Sequence, residues 1–153
     1  AGEFRAMGEE FFNDAGRHHV YREAADLVRR LKQNGCRVVL LTAQNECIAG
    51  PYARYLGMDH MIANRFHDDG VRFTDPVRPY SFGEGKVELG KRYAAEWGVP
   101  LDRCAFFGDS IYDAPFLEMV GFPCAVNPDR HLEARALDRN WTVARFTGTE
   151  KAG

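Results

Sequence analysis

Short apolar runs alternate with amphipathic helical patterns along this chain, and that alternation limits the folds available to it. The patterns that predict helices cover 3–13, 21–33, 49–56, 85–97, 113–120 and 130–138. The runs that predict strands are 38–41, 104–107, 122–126 and 141–146. Such alternation over short connections predicts an α/β fold, a Rossmann-like parallel sheet with helices on both faces. Ligands bind these sheets at the carboxyl ends of the strands, so the residues just after each strand are the candidates for chemistry.

A β-hairpin is predicted in the middle of the chain, where the alternation is interrupted. Residues 61–66 and 71–74 read as two strands, and the sequence between them ends in Asp69-Gly70. An Asp-Gly pair between two such runs is a strong hairpin signal. We therefore expect a small antiparallel element inserted into the parallel fold.

The composition excludes several classes of function. The chain has 153 residues, of which 45% are hydrophobic and 27% charged, as expected for one globular domain. The net charge is −2 and no basic stripe is present, which argues against nucleic acid as a partner. The longest apolar run, 38–41, is far too short to cross a membrane. The four cysteines form no Cys-x-x-Cys pair, which favours buried reduced thiols in the cytoplasm over a zinc site.

The first candidate site follows the run at 38–41. That run is unbroken and begins with two valines, which predicts a strand buried on both faces. Thr42 comes next and is followed by Ala43-Gln44-Asn45. A hydroxyl and free backbone amides at the start of a helix form a site for an anion. The same threonine also fits an ordinary helix N-cap, so Thr42 alone does not decide between the two.

The second candidate site is the sequence Gly83-Glu84-Gly85-Lys86. Two glycines let the backbone approach a ligand closely, and Lys86 opens the helix predicted at 85–97. An ammonium group in that place neutralises charge on a phosphoryl oxygen. The Gly-x-x-x-x-Gly-Lys-Ser/Thr pattern of a P-loop is absent. The alternative interpretation of Lys86 is a solvated surface lysine.

The third candidate site is a pair of aspartates after the run at 104–107. Gly108-Asp109 follows the strand, and Asp113 comes four residues later, about one helical turn away on the same side. Two carboxylates so close repel each other unless a positive charge lies beside them. Mg²⁺, which prefers oxygen ligands, is the natural candidate. The alternative is an N-cap Asp109 and an exposed Asp113.

Together, these three sites resemble the second, third and fourth motifs of the haloacid dehalogenase superfamily. The likeness is greatest to its phosphoserine-phosphatase-like subfamily, and it covers residues 20–146. The segments that carry it are Val38-Val39-Leu40-Leu41-Thr42-Ala43, Tyr80-Ser81-Phe82-Gly83-Glu84-Gly85-Lys86, Phe107-Gly108-Asp109-Ser110-Ile111-Tyr112-Asp113 and Ala125-Val126-Asn127-Pro128-Asp129.

The resemblance implies an Mg²⁺-dependent phosphatase whose catalytic residues are Thr42, Lys86, Asp109 and Asp113. Thr42 and the backbone amide of Ala43 would hold the transferring phosphoryl group, and Lys86 would bind the same group. Asp109 would ligate Mg²⁺ directly. Asp113 would either hold a metal-bound water or orient Lys86. These roles meet the general needs of phosphoryl transfer, which are positioning and charge neutralisation.

The family's first motif, an apolar strand that ends in Asp-x-Asp, is absent from this sequence. None of the eleven aspartates has another aspartate two positions away. In the family the first aspartate of that motif is the nucleophile and the second is the general acid and base. We expect the motif to lie upstream, with residues 1–19 as the remnant of a helical cap and 20–153 as an incomplete core. The missing strand would leave two strand edges unpaired and the chain unstable or poorly active.

Two functions stay open on this basis. One is a phosphomonoesterase for a small phosphorylated metabolite, with phosphoserine as the first candidate by resemblance. The other is a non-catalytic domain of the same fold that binds phosphate or a partner. A response-regulator receiver is disfavoured because its acidic residues precede its threonine and lysine. The sequence carries no signal for an oligomeric state.

Overall fold

The structure, a computed structural model, describes residues 1–149 as helices and strands in alternation. The helices are α1 Gly2–Asp14, α2 Arg22–Gln33, α3 Glu46–Tyr55, α4 Glu84–Glu96, α5 Ala114–Leu117 and α6 Arg130–Asp138. The strands are β1 Val39–Asn45, β2 His60–Asn64, β3 Phe66–Asp68, β4 Phe73–Pro76, β5 Ala105–Gly108, β6 Phe122–Val126 and β7 Thr142–Ala144. The predicted α/β fold with parallel strands is confirmed. Residues 150–153 of the predicted core lie outside the described residues.

The chain forms two compact units. The first contains residues 1–81 and the described C-terminal residues 147–149, and the second contains residues 82–146. In the first unit β1 pairs with β2 in parallel, and β3 pairs with β4 in an antiparallel hairpin. In the second unit β5, β6 and β7 form a parallel sheet in that order. The second unit has an apolar core of Ala114, Leu117, Ala125, Leu132 and Ala136.

The helix α2 ends where the sequence places a stop signal. Gly35 has a φ of +76°, a conformation that glycine adopts without steric cost. Its N–H donates to the carbonyl of Lys32 (2.9 Å), and the N–H of Cys36 donates to that of Leu31 (3.0 Å). These two bonds form a Schellman motif, which satisfies the last carbonyls of the helix and turns the chain toward β1.

Two helices of the first unit approach each other backbone to backbone. Pro51 lies inside α3 and has no N–H, so it gives no hydrogen bond to the carbonyl of Cys47 one turn earlier. Gly8 of α1 packs against that carbonyl, and a Cβ at position 8 would overlap its oxygen. The contact between α1 and α3 therefore depends on the missing side chain of Gly8.

Several predicted boundaries are wrong, and four of them have a local reason. The first arm of the hairpin is β3 alone, because residues 60–64 join β1 in the parallel sheet. The helix predicted at 49–56 starts at Glu46, because Asn45 caps it. The helix predicted at 113–120 shortens to α5, since residues 111–113 form a 3-10 turn. The strand predicted at 141–146 stops at Ala144, because Phe146 bonds the side-chain amide of Asn127 instead.

The strands β1 and β5 each have one hydrogen-bonded neighbour within residues 1–149. The run at 38–41, predicted to be buried on both faces, is only partly buried. Phe107 of β5 keeps 39% of its surface exposed. An apolar strand that is hydrogen-bonded along only one of its edges leaves the other edge, and part of its side chains, exposed. Within the same residues, no helix is long and apolar enough to cross a membrane.

Candidate active site

Thr42 lies in a bulge near the carboxyl end of β1. The pairs Leu41–Ile62 and Asn45–Asn64 are in register, so three residues of β1 stand opposite one residue of β2. Bulges bend a strand and change the direction of its side chains, and they are frequent beside active sites. Both the helix-start and the N-cap interpretations of Thr42 are wrong, because the residue that caps α3 is Asn45.

Two hydrogen bonds hold the peptide that joins Ala43 to Gln44. The Gln44 N–H donates to Thr42 Oγ1 (3.1 Å), and Nδ2 of Asn64 donates to the Ala43 carbonyl (2.6 Å). Because Thr42 Oγ1 accepts one hydrogen bond, its own proton is left to donate to a ligand. Ala43 and Gln44 are exposed, so a ligand can reach this bulge.

Lys86 is buried, contrary to the surface-lysine interpretation. It lies in the first turn of α4, which begins after Gly83 at φ +54° and ψ −127°. Its Nζ is 2.6 Å from Oδ1 of Asp113, and the two side chains are only 11% and 7% exposed. The Nζ also lies 5.9 Å from the ring centroid of Phe106 on β5. The ammonium group is thus fixed by an ion pair inside the second unit.

Asp113 is engaged through both of its carboxylate oxygens. Oδ1 pairs with Lys86, while Oδ2 accepts from the N–H groups of Asp109 (3.2 Å) and Ser110 (3.4 Å). Gly108 makes room for this arrangement, because a Cβ there would lie 2.8 Å from Cβ and Oδ2 of Asp113. The residue is buried in a 3-10 turn, so the predicted exposed Asp113 is wrong.

Asp109 follows β5 and is exposed. Among residues 1–149, no hydrogen bond or ion pair engages its carboxylate, and no three His, Cys, Asp or Glu side chains cluster as a metal site. A free carboxylate at a strand end fits Mg²⁺ as one of several oxygen ligands. Asp113 fits less well as a ligand, since Lys86 and two backbone amides already use its oxygens.

Asp129 is a residue whose structural role sequence reasoning missed. Its N–H donates to the Asp109 carbonyl (2.8 Å), and its Oδ2 accepts from the N–H of Ile111 (2.8 Å). Its Oδ1 caps α6 by accepting from the N–H groups of His131 (2.9 Å) and Leu132 (2.8 Å). These bonds, first that from Leu132, hold the pKa of the Asp129 carboxyl below its usual value. An aspartate directly before a predicted helix was the signal available for the cap.

Of the predicted site residues, the structure brings Lys86, Asp109 and Asp113 together within the second unit. Thr42 and Ala43 belong to the first unit, where they lie in the bulge and Asn64 binds the Ala43 carbonyl. Asp109 follows β5, Lys86 lies in the first turn of α4 and Asp113 directly precedes α5. Thr42 and Ala43 lie within β1, near its carboxyl end.

The comparisons with known proteins give one consistent result. The sequence profile of the haloacid dehalogenase-like hydrolases matches residues 1–118. A probable phosphatase of Mycobacterium tuberculosis is 41% identical over 143 residues, which are 94% of this chain and 50% of that protein. A phosphoserine phosphatase of the same species is 30% identical over 98% of this chain and 49% of its own length. The chain therefore spans about half the length of these curated relatives.

A solved structure shares the fold of this chain. A Bordetella pertussis protein described as having unknown function superposes with a TM-score of 0.86 and 35% identity. The match covers 94% of this chain and 66% of that protein. Family profile, relatives and fold agree, and the chain therefore belongs to the haloacid dehalogenase-like hydrolases, in their phosphoserine-phosphatase-like branch.

Proposed function

We propose that this chain is part of an Mg²⁺-dependent phosphatase that hydrolyses a small phosphorylated metabolite. The main support is the ion pair between Nζ of the buried Lys86 and Oδ1 of Asp113, which lie 2.6 Å apart. Oδ2 of the same carboxylate accepts from the backbone N–H of Asp109, whose own side chain is exposed. A fixed ammonium beside a free carboxylate supplies the charge neutralisation that phosphoryl transfer requires. The names of the relatives as phosphatases support this chemistry.

Each residue has a proposed role. The Thr42 hydroxyl donates a hydrogen bond to a phosphoryl oxygen, and the Ala43 amide binds the same group. Lys86 offsets the negative charge that the phosphoryl group brings to the site, and Asp113 positions Lys86. Asp109 holds Mg²⁺, which when bound neutralises charge on the phosphoryl oxygens. A role for Asp113 in holding the metal, directly or through a bound water, becomes the less favoured one.

The nucleophile is proposed to come from outside residues 1–153, since Asp-x-Asp occurs nowhere in them. The chain alone is then catalytically incomplete. The non-catalytic alternative draws on the same absence, but the matched relatives carry phosphatase names, which favours an enzyme. Phosphoserine is the first substrate to test because one relative is a phosphoserine phosphatase. A cytoplasmic location stays a prediction.

The test is phosphatase activity of the full-length gene product. We expect hydrolysis of p-nitrophenyl phosphate and of one or more small phosphomonoesters, dependent on Mg²⁺ and abolished by EDTA. Asp109→Asn is expected to remove activity, whereas Asp138→Asn, an exposed aspartate at the end of α6, is the matched control. Phosphate binding without turnover would support the non-catalytic alternative. Robust turnover by the 153-residue chain alone would contradict catalytic incompleteness.

A further inference from the structure

Asn64 connects two backbone segments that are far apart in sequence. It is the last residue of β2, and its side chain is only partly exposed. Its Nδ2 donates to the Ala43 carbonyl at 2.6 Å, and its Oδ1 accepts from the N–H of Ser81 at 2.7 Å. Both ends of the amide are thus engaged by backbone groups. A side chain bonded in this way has one orientation, since turning it would place two donors or two acceptors face to face.

The Ala43 carbonyl that Asn64 binds belongs to the same peptide as the Gln44 N–H. That N–H donates to Thr42 Oγ1 at 3.1 Å. The peptide is therefore held at its carbonyl by Asn64 and at its N–H by the threonine hydroxyl. Rotation of this peptide would break both bonds, so the orientation of the Thr42 hydroxyl depends on the amide of Asn64.

The bulge needs such support because it lacks a regular ladder. Three residues of β1 stand opposite a single residue of β2, so part of the backbone between Leu41 and Asn45 has no paired partner. Ala43 and Gln44 are also exposed, so burial does not fix them. The side chain of Asn64 takes the place of a missing strand bond at the point where a ligand would bind.

We propose that Asn64 is a positioning residue for phosphoryl binding, which acts by fixing the Ala43–Gln44 peptide and, through it, the Thr42 hydroxyl. The inference rests on the proposed phosphatase function and assigns to that function a residue outside the three motifs. Asn64 touches neither substrate nor metal in this role. Its Oδ1 bond to Ser81 anchors it, and its Nδ2 bond to Ala43 transmits the constraint.

The experiment compares Asn64→Asp with a matched asparagine. Asn64→Asp keeps the oxygen that accepts from Ser81 but replaces the donor to Ala43 with a second oxygen. Asn34→Asp is the control, because Nδ2 of Asn34 also donates to a backbone carbonyl, that of Arg30 (2.8 Å), at the end of α2. Both variants are made in the full-length gene product, and kcat and KM for p-nitrophenyl phosphate are measured with Mg²⁺.

We expect Asn64→Asp to lower kcat/KM about 10- to 100-fold, the effect of a small misplacement of a binding group. It should also weaken inhibition by inorganic phosphate, while Asn34→Asp changes neither value more than about twofold. The decisive readout is a double-mutant cycle with Thr42→Val. If Asn64 acts through Thr42, its substitution costs much less once the hydroxyl is gone. Additive losses would contradict the proposal.

The remaining outcomes also decide the question. If the wild-type product has no phosphatase activity, the proposed function fails and this inference fails with it. If the wild type is active and Asn64→Asp behaves like Asn34→Asp, the inference alone fails. If Asn64→Asp does not fold, as judged by thermal unfolding, Asn64→Ala is tested by the same cycle. Failure of both variants to fold would make Asn64 a structural residue and overturn the positioning role.

Discussion

The bulge at Thr42 and the ion pair of Lys86 with Asp113 fix polar groups of the candidate site in two different ways. Ala43 and Gln44 in the bulge are exposed, and the side chains of Asn64 and Thr42 hold the peptide between them. The ion pair is buried, with the two side chains 11% and 7% exposed. An exposed group is available to a ligand but relies on local hydrogen bonds, whereas a buried pair is rigid but costly to disturb.

Function and stability depend on these two regions in different ways. Loss of a bond in the bulge should affect ligand binding more than folding, because water can replace it. Loss of one partner of the buried pair should affect both, because the other charge is left without compensation. The substitutions below test this difference, in order of expected effect.

Lys86→Met should have the largest effect, because it leaves the carboxylate of Asp113 buried and unpaired. We expect the free energy of unfolding to fall by about 3–5 kcal/mol and activity to be lost. Urea denaturation and p-nitrophenyl phosphate hydrolysis of the full-length product measure the two effects. Lys91→Met, an exposed lysine on the same helix, is the control. Adding Asp113→Leu should restore part of the stability without activity, because it removes the unpaired charge but also the acceptor for two backbone N–H groups. No recovery at all would mean that the unpaired charge is not what destabilises Lys86→Met.

Gly108→Ala should have the next largest effect, since its Cβ would lie 2.8 Å from atoms of Asp113. Overpacking of this kind costs about 1–3 kcal/mol, and displacement of Asp113 should also reduce kcat. Gly2→Ala is the control, because nothing lies within 4 Å of a Cβ there. An unchanged kcat in Gly108→Ala would show that activity tolerates a shift of Asp113. The buried ion pair would then be less sensitive to disturbance than the comparison with the bulge assumes.

The first unit should lose stability in acid at the start of β1. The bond from Lys32, together with that from the Val38 N–H, holds the pKa of Asp59 below its usual value. The stability that Asp59 contributes is therefore complete above the unfolded-state pKa of about 3.9 and is lost as the pH falls below it. Asp59→Asn should flatten the dependence of the melting temperature on pH in this range. An unchanged slope would assign the acid sensitivity to other carboxylates.

Ser81→Ala should have the smallest effect and the opposite sign. Ser81 is fully buried, and its Oγ has no hydrogen-bond partner among residues 1–149. Removing an unpaired buried hydroxyl should raise stability by up to about 1 kcal/mol. Activity should not change, because the N–H that binds Asn64 belongs to the backbone. A loss of stability in chemical denaturation would indicate that the hydroxyl has a partner after all.

The sequence predicted the order of the elements and the residues at strand ends, because periodicity and turn signals are local. The strand at 122–126 and the helix at 130–138 have the predicted bounds. The grouping of Lys86 with Asp109 and Asp113 followed from the rule that strand ends carry the chemistry of an α/β fold. Burial of Lys86 did not follow, since its partner lies 27 residues away in sequence.

The bulge and its support could not be predicted for the same reason. A bulge depends on the register between two strands, and that register forms only when β1 meets β2. Asn64 lies 21 residues from Ala43 and 17 from Ser81, and an asparagine at the end of an apolar run has no pattern of its own. Asp129 caps α6 and also binds the loop after β5, and the second role could not be predicted because its partner, Ile111, lies 18 residues away in sequence.

The close contact between Gly8 and the Cys47 carbonyl limits which residues this protein tolerates at position 8. Because Gly8 contacts backbone atoms, position 8 requires a residue without a side chain. A substitution on the facing helix changes a side chain only, so it cannot remove the clash between an added methyl group and that carbonyl. Phe4, Met7 and Phe11 on the same helix are exposed and free of this constraint. In a library that randomises α1 and selects for folded protein, position 8 should return glycine while position 7 diversifies.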